Sequence, residues 1–435
     1  MRRGLIPVLI LADLFRQAFV TASLDTAFDQ SLQSAQSPSG GEKRLGVDVL
    51  NAVAASPSVT HILEWLAISL TPGLGPTKAR KLVEHFGSAE AVFHASLTEL
   101  ESTGMQAVSA QSIATGKSAE LAREEIARAV AAGVTVVSLE DPCYPSRLKE
   151  IYDPPLVLYV RGNPDVLTQP GIAMVGTRHP TPYGSGMAER LASDLAAQGL
   201  VIISGMARGV DTASHRGAIA AKGKTIAVFG TGVDVIYPKE NSRLSEQILA
   251  LGGALISEFR LGTFAAPQNF PIRNRILSGM SVGVLVVEAA EYSGTRITAR
   301  CALEQNRDVF AVPGNVTNKN SWGPNTLIKQ GAKLVATWED VWEDLPAEVK
   351  LALTPATSPE SGSGSSASLF PDEGLPPHEK KILSLLKADE ATQIDEIVER
   401  LEAEMSSSEI FAALFELELT GKVRQMPGKN FVKSF

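Results

Sequence analysis

The chain has 435 residues, 44% hydrophobic and 20% charged, which is ordinary for a globular protein and excludes disorder over most of its length. Its formal net charge of −8 argues against a surface that is a nucleic-acid glove all over. Its two cysteines, Cys143 and Cys301, can build neither a disulfide framework nor a cysteine zinc site, which fits a reducing compartment.

At about 150 residues per domain the length predicts about three domains. Residues 1–58 read as a leader. Arg2 and Arg3 precede an apolar run, Leu5 to Ala12, that Asp13 and Arg16 interrupt. The run is shorter than the roughly 20 residues a membrane span needs and meets no clean cleavage site. A poorly ordered leader is expected in preference to a signal peptide, and no other stretch could cross a membrane.

Residues 59–135 read as helical. His61–Leu70 has helical apolar spacing, and Thr71-Pro-Gly73-Leu-Gly75-Pro-Thr-Lys78 leads into a helix over Arg80–Phe86. A Gly-x-Gly turn between short helices predicts a helix-hairpin-helix, whose glycines let backbone amides approach a phosphate. A worn second copy is expected around Gly104. A plain packing unit is the alternative, because the flanks are not strongly basic. A helix (Ala119–Ala132), a short strand (Val134–Leu139) and a Pro-rich connection follow.

Residues 136–350 are assigned to the next domain, and from Gly171 the pattern alternates. Strands are predicted at Ile172–Val175, Val201–Ser204, Thr225–Phe229, Ala254–Glu258, Val282–Glu288, Asp308–Val312 and Lys333–Thr337. Helices are predicted between them at Tyr183–Gln198, Thr212–Lys222, Ser242–Leu251, Asn274–Ser281, Thr295–Gln305 and Asn325–Gln330. Continuous apolar strands alternating with helices predict a Rossmann-like, doubly wound, mostly parallel sheet. Residues 351–374 read as a Ser/Gly/Pro-rich flexible linker. In residues 375–435, three helices (Pro377–Leu386, Ile394–Leu401, Ser408–Leu419) and a hairpin over Val423–Val432 predict a winged helix.

Charge is unevenly spread. From Pro170 to Asp340 there are 17 Lys+Arg against 13 Asp+Glu, whereas from Leu375 to Phe435 there are 8 against 11. An anionic ligand is therefore expected at the central domain. In a doubly wound sheet, ligands bind beyond the carboxyl ends of the strands. The residues expected there are Gly176-Thr177-Arg178, Ser204-Gly205, Gly230-Thr-Gly232, Glu258-Phe-Arg260, Phe270-Pro-Ile-Arg273-Asn-Arg275, Glu288, Ser293-Gly294-Thr295 and Pro313-Gly314. Glycine turns and guanidinium groups suit a phosphate.

NAD is disfavoured, because no Gly-x-Gly-x-x-Gly follows the first strand. The stretch from Gly217 to Gly223-Lys224-Thr225 has one residue too many for a P-loop and precedes a strand. No nucleophile is paired with a base. His215 reads as a packing residue and Asp211 as a helix N-cap. Glu258 and Glu288 read as carboxylates bound to loop amides, with catalysis the less favoured alternative.

Several stretches together resemble the DNA processing protein A (DprA/Smf) family. They are Met174-Val-Gly-Thr-Arg178, Ser204-Gly-Met-Ala-Arg-Gly-Val-Asp211, Val228-Phe-Gly-Thr-Gly-Val-Asp234, Phe270-Pro-Ile-Arg-Asn-Arg-Ile276, Ser293-Gly-Thr295 and Val309-Phe-Ala-Val-Pro-Gly314. The resemblance implies a cytoplasmic homodimer that binds single-stranded DNA, protects incoming strands and helps load RecA recombinase in natural transformation. It implies no catalytic residue, metal or cofactor, phosphate contacts from Gly176, Thr177, Arg178, Ser204, Gly205, Lys224, Arg273, Arg275, Ser293, Gly294 and Thr295, and base stacking on Phe270; a buried structural Arg275 paired with Glu258 or Glu288, and Phe270 in the core, are the alternatives. Thr177 stands where the family usually has Ser, and His179-Pro180 where it often has basic residues. The rival reading is a nucleotide-binding or phosphoribohydrolase-type enzyme. That group carries a Pro-Gly-Gly-x-Gly-Thr loop, whereas Glu291-Tyr-Ser-Gly-Thr295 lacks the double glycine.

Overall fold

A computed structural model describes residues 57–353, 376–386, 391–401 and 405–433. All but the last two residues of the expected leader, and all but the first three of the expected linker, lie outside the described residues. No helix among the described residues is long and apolar enough to cross a membrane.

Among the described residues six helices come first: α1 (Pro57–Ser69), α2 (Pro76–Phe86), α3 (Ala89–His94), α4 (Leu97–Ser102), α5 (Ala107–Ala114) and α6 (Lys117–Ala131). Then follow β1 (Thr135–Ser138), α7 (Ser146–Lys149), β2 (Val157–Gly162), β3 (Gly171–Val175), α8 (Pro182–Ala197), β4 (Val201–Ser204), α9 (Val210–Ala220) and β5 (Thr225–Val228). Next are α10 (Ser242–Ala250), β6 (Ala254–Ser257), α11 (Asn269–Gly279), β7 (Gly283–Val286), α12 (Thr295–Glu304), β8 (Asp308–Ala311), α13 (Trp322–Lys329), β9 (Lys333–Leu334), α14 (Trp338–Glu343) and α15 (Ala347–Ala352). The chain closes with α16 (Pro377–Leu385), β10 (Thr392–Gln393), α17 (Ile394–Leu401), α18 (Ser407–Leu419), β11 (Val423–Met426) and β12 (Asn430–Lys433).

The described residues form two compact units. One holds residues 57–168 with Phe229–Ile236 and Ala254–Ile276; the other holds the remaining described residues. In the first unit, helices of six residues cannot hold themselves and rely on caps. Ser88 accepts from the amide of Ala91 at α3, and Ser96 and Glu99 form a capping box at α4. A buried hydroxyl chain holds the helices together, with Thr71 Oγ1 2.9 Å from Ser118 Oγ and Ser118 Oγ 2.7 Å from Ser112 Oγ. Glu125, fully buried on α6, accepts from the Leu261 amide at 2.9 Å and lies 3.0 Å from Arg128 Nη1.

In this unit the strand predicted at Ala254–Glu258 is present as β6, and it pairs antiparallel with β2, with Tyr159 opposite Ser257. β2 itself, which also pairs antiparallel with β1, was not predicted.

In the second unit six strands run parallel in the order β5-β4-β3-β7-β8-β9. Every residue of β3, β4, β5 and β7 is buried, as strands covered on both faces must be. Ile172, Met174, Leu191, Leu195, Ile202 and Phe310 form the centre of one apolar cluster. The winged helix has its own core of Ile382, Ile397, Ile410, Leu414, Leu417 and Phe431, and a three-stranded sheet in the order β10-β12-β11.

Candidate nucleic-acid interface

The site is built first by the loop that leaves β3. The Thr177 amide donates to Glu288 O at 2.7 Å, and Thr177 O accepts from the Val210 amide at 3.2 Å. Two glycines make this approach possible. A Cβ on Gly176 would lie 2.5 Å from Val210 Cγ2, and one on Gly209 would lie 2.4 Å from Thr177 O. Gly209 also has φ +76°, where a side chain is strained. The loop is therefore pinned from beneath, and Arg178 and His179 remain exposed at its tip.

Glu288, at the carboxyl end of β7, is only 1% exposed. Its carboxylate accepts from the Thr181 amide at 2.8 Å and from Thr181 Oγ1 at 2.6 Å. A Cβ on Gly184 would fall 2.3 Å from its carboxyl carbon. Glu288 thus organises the 177–184 loop, as the amide-binding reading expected.

Ser204 is fully buried and donates to Met174 O at 2.7 Å, so its hydroxyl faces into the sheet. Gly205 beside it is also buried. Arg208 is exposed but forked onto Glu240 at 2.7 and 2.8 Å, which raises the arginine's pKa and lowers the glutamate's. Asp211 is not the N-cap of α9; that position belongs to Gly209. Asp211 instead accepts from the Ala207 amide at 3.2 Å from within the first turn. His215 is fully buried with Nδ1 2.7 Å from Thr225 Oγ1, a packing residue as expected. Beyond β7, Ser293 Oγ accepts from the Thr295 amide at 3.2 Å, Thr295 is buried, and Gly294 is the exposed N-cap of α12.

Lys224 departs from expectation. It precedes β5, and its ammonium donates to Gln169 Oε1 at 3.3 Å, just before β3. Parallel strands share one polarity, so Lys224 lies at their amino ends, across the sheet from Arg178. The cation that sequence reasoning missed is Lys239. It is exposed in a short turn whose Asn241 Nδ2 donates to Met206 O and Thr212 Oγ1, both at 2.9 Å. These bonds fasten the turn to the loop leaving β4. The signal was present: Tyr237-Pro238-Lys239 follows β5, whereas Lys224 comes before it.

In the first unit, Arg275 is 9% exposed, pairs with Glu258 and lies 3.2 Å from Asp153. Burial holds the Glu258 carboxyl above its ordinary range despite Arg275. Arg273 is buried as well. Phe270 is half-buried, with its ring against Gly230, where a Cβ would come within 2.9 Å. These three side chains therefore sit within the protein's own packing.

The profile of the family described as DNA recombination-mediator protein A matches residues 135–346, and that of the DprA winged helix domain matches 367–429. The chain belongs to the DprA family. Protein Smf of Escherichia coli is 41% identical over 295 residues, covering 67% of this chain and 76% of Smf. Protein Smf of Synechocystis is 33% identical over 393 residues, covering 84% and 97%. The X-ray structure of DNA processing protein A from Streptococcus pneumoniae superposes with a TM-score of 0.55 at 34% identity, over 67% of this chain and 98% of that one. The first DprA profile begins at β1, so α1 to α6 lie outside it, and the unpredicted β2 lies within it.

Proposed function

We propose that this DprA-family chain binds single-stranded DNA at the carboxyl ends of β3, β4, β5 and β7, and that it protects incoming strands and helps load RecA recombinase. The observation that carries the reading is the exposed Arg178 on a glycine-pinned loop, with exposed Lys239 on a turn fastened to the neighbouring loop. A guanidinium and backbone amides hold phosphates without reading sequence. Lys239 takes the role expected of Lys224. Gly176, Thr177, Gly205, Ser293, Gly294 and Thr295 shape the loops, Ser204 supports them from the sheet, and Phe270, Arg273 and Arg275 have structural roles. No catalytic step is assigned.

The domain division at residues 59–135, 136–350 and 375–435 belongs to the same proposal, as does a homodimer through the sheet domain. The edge strand β9, with exposed Leu334, supports the latter. The winged helix serves partner docking: exposed Phe411, Phe415 and Leu419 on α18, flanked by Glu416 and Glu418, suit a protein better than a major groove.

The test is fluorescence anisotropy with labelled oligo-dT across a salt series. Arg178→Ala and Lys239→Ala are each expected to weaken binding about tenfold and to lower the salt slope by about 0.7. Lys224→Ala is expected to bind as the wild type does. Wild-type acceleration of RecA filament assembly, lost in Arg178→Ala, would support the loading role. Unchanged affinity in both Arg178→Ala and Lys239→Ala would sink the site.

A further inference from the structure

The six-helix segment contains an internal repeat. α1 and α2 are joined by a turn at Gly73 (φ +74°), and α4 and α5 by a turn at Gly104 (φ +78°). The two turns lie side by side. Ser109 Oγ donates to Pro72 O at 2.6 Å, and a Cβ on Gly73 would sit 2.6 Å from Gln106 Oε1. Between them opens a cleft of about 300 Å3. Lys78, Lys81 and His85 line it from one face of α2, spaced by three and four residues. Its lining includes no carboxylate, and both lysines are exposed. In a chain of net charge −8, such a lining selects an anion.

We propose that these paired hairpins are a second nucleic-acid site, taking the sugar–phosphate backbone of duplex DNA. Two adjacent glycine turns admit consecutive phosphates of one strand, and the lysines neutralise them. Duplex is favoured over single strand because unstacked bases need an aromatic platform, and no Phe, Tyr or Trp lines the cleft. Stacked DNA presents only its backbone, which this lining matches. The site is independent of the Arg178 loop.

The test uses the full chain and anisotropy with a labelled blunt duplex of about 20 base pairs and with dT of equal length, since a salt series counts phosphate contacts. The double substitution Lys78→Glu with Lys81→Glu is expected to weaken duplex binding at least tenfold. It should lower the duplex salt slope by about 1.8, or about 0.9 per lost contact, and leave dT binding unchanged. Arg178→Ala should do the reverse, weakening dT alone. Lys78→Arg with Lys81→Arg should restore duplex binding, and circular dichroism should show all variants folded. Wild-type failure to bind duplex at low salt, or a charge-reversed variant that binds duplex normally, would overturn the proposal. Equal losses for dT and duplex would overturn its choice of ligand.

Discussion

Burial, reinforced by the nearby Asp141 carboxylate, pushes the Cys143 thiol up to about 11. Both influences oppose the thiolate, so reactivity must rise with pH. At pH 8 about one thiol in a thousand would be ionised, against about one in four for an ordinary cysteine with a pKa near 8.5. In a Cys301→Ser background, iodoacetamide should therefore label Cys143 about a hundredfold more slowly than a free thiol, with the rate still climbing beyond pH 10. A rate that levels off near pH 9 would refute this. Arg275 illustrates the same force acting on a cation. Its position in Arg-Asn-Arg left open a phosphate ligand or a buried arginine paired with a glutamate, and its guanidinium is enclosed with Glu258 and Asp153. Sequence marks both Arg178 and Arg275 as candidates; only burial separates the exposed one from the structural one.

At the scale of elements, α8 and α9 pack unusually close. A Cβ on Gly217 would lie 2.1 Å from Glu189 O, a backbone atom that cannot swing aside. Gly217→Ala should cost about 1–3 kcal/mol by forcing the helices apart, read as a lower urea midpoint with unchanged m. An unaltered midpoint would show that the helices can separate freely. The helices and parallel strands were legible because their apolar periods are strong; β4 spans the predicted Val201–Ser204 without change. β6 was legible as a strand, but its antiparallel pairing with β2 was not, because β2 lies almost a hundred residues earlier in the chain. β2 carries the signal of a strand in Val157-Leu-Tyr-Val160, hidden only by the Pro154-Pro155 pair before it.

At the scale of the whole molecule, the winged helix buries its own apolar residues in a separate cluster. A chain ending at Leu353 should keep the thermal midpoint of its remaining residues. It should sediment with the same stoichiometry as the full chain, and hold oligo-dT within about threefold of the full chain, because its proposed phosphate contacts are retained. Collapse of DNA affinity would move the winged helix into the DNA site, and a lower stoichiometry than that of the full chain would place a subunit contact there. The net of −3 in this segment and the exposed apolar stripe on α18 are the grounds on which partner docking is proposed for it over phosphate contacts from Lys422, Arg424, Lys429 and Lys433.

Composition, periodicity and the glycine-rich loops were enough to specify the kinds of elements, their order and the family, because local propensity and burial pattern are written in neighbouring residues. The strand polarity that moves Lys224 to the far edge, the antiparallel β2–β6 pair, and the enclosure of Arg273 and Arg275 emerged only on folding. Each depends on contacts between residues distant in the chain, and a side chain's exposure is set by what the rest of the molecule packs against it.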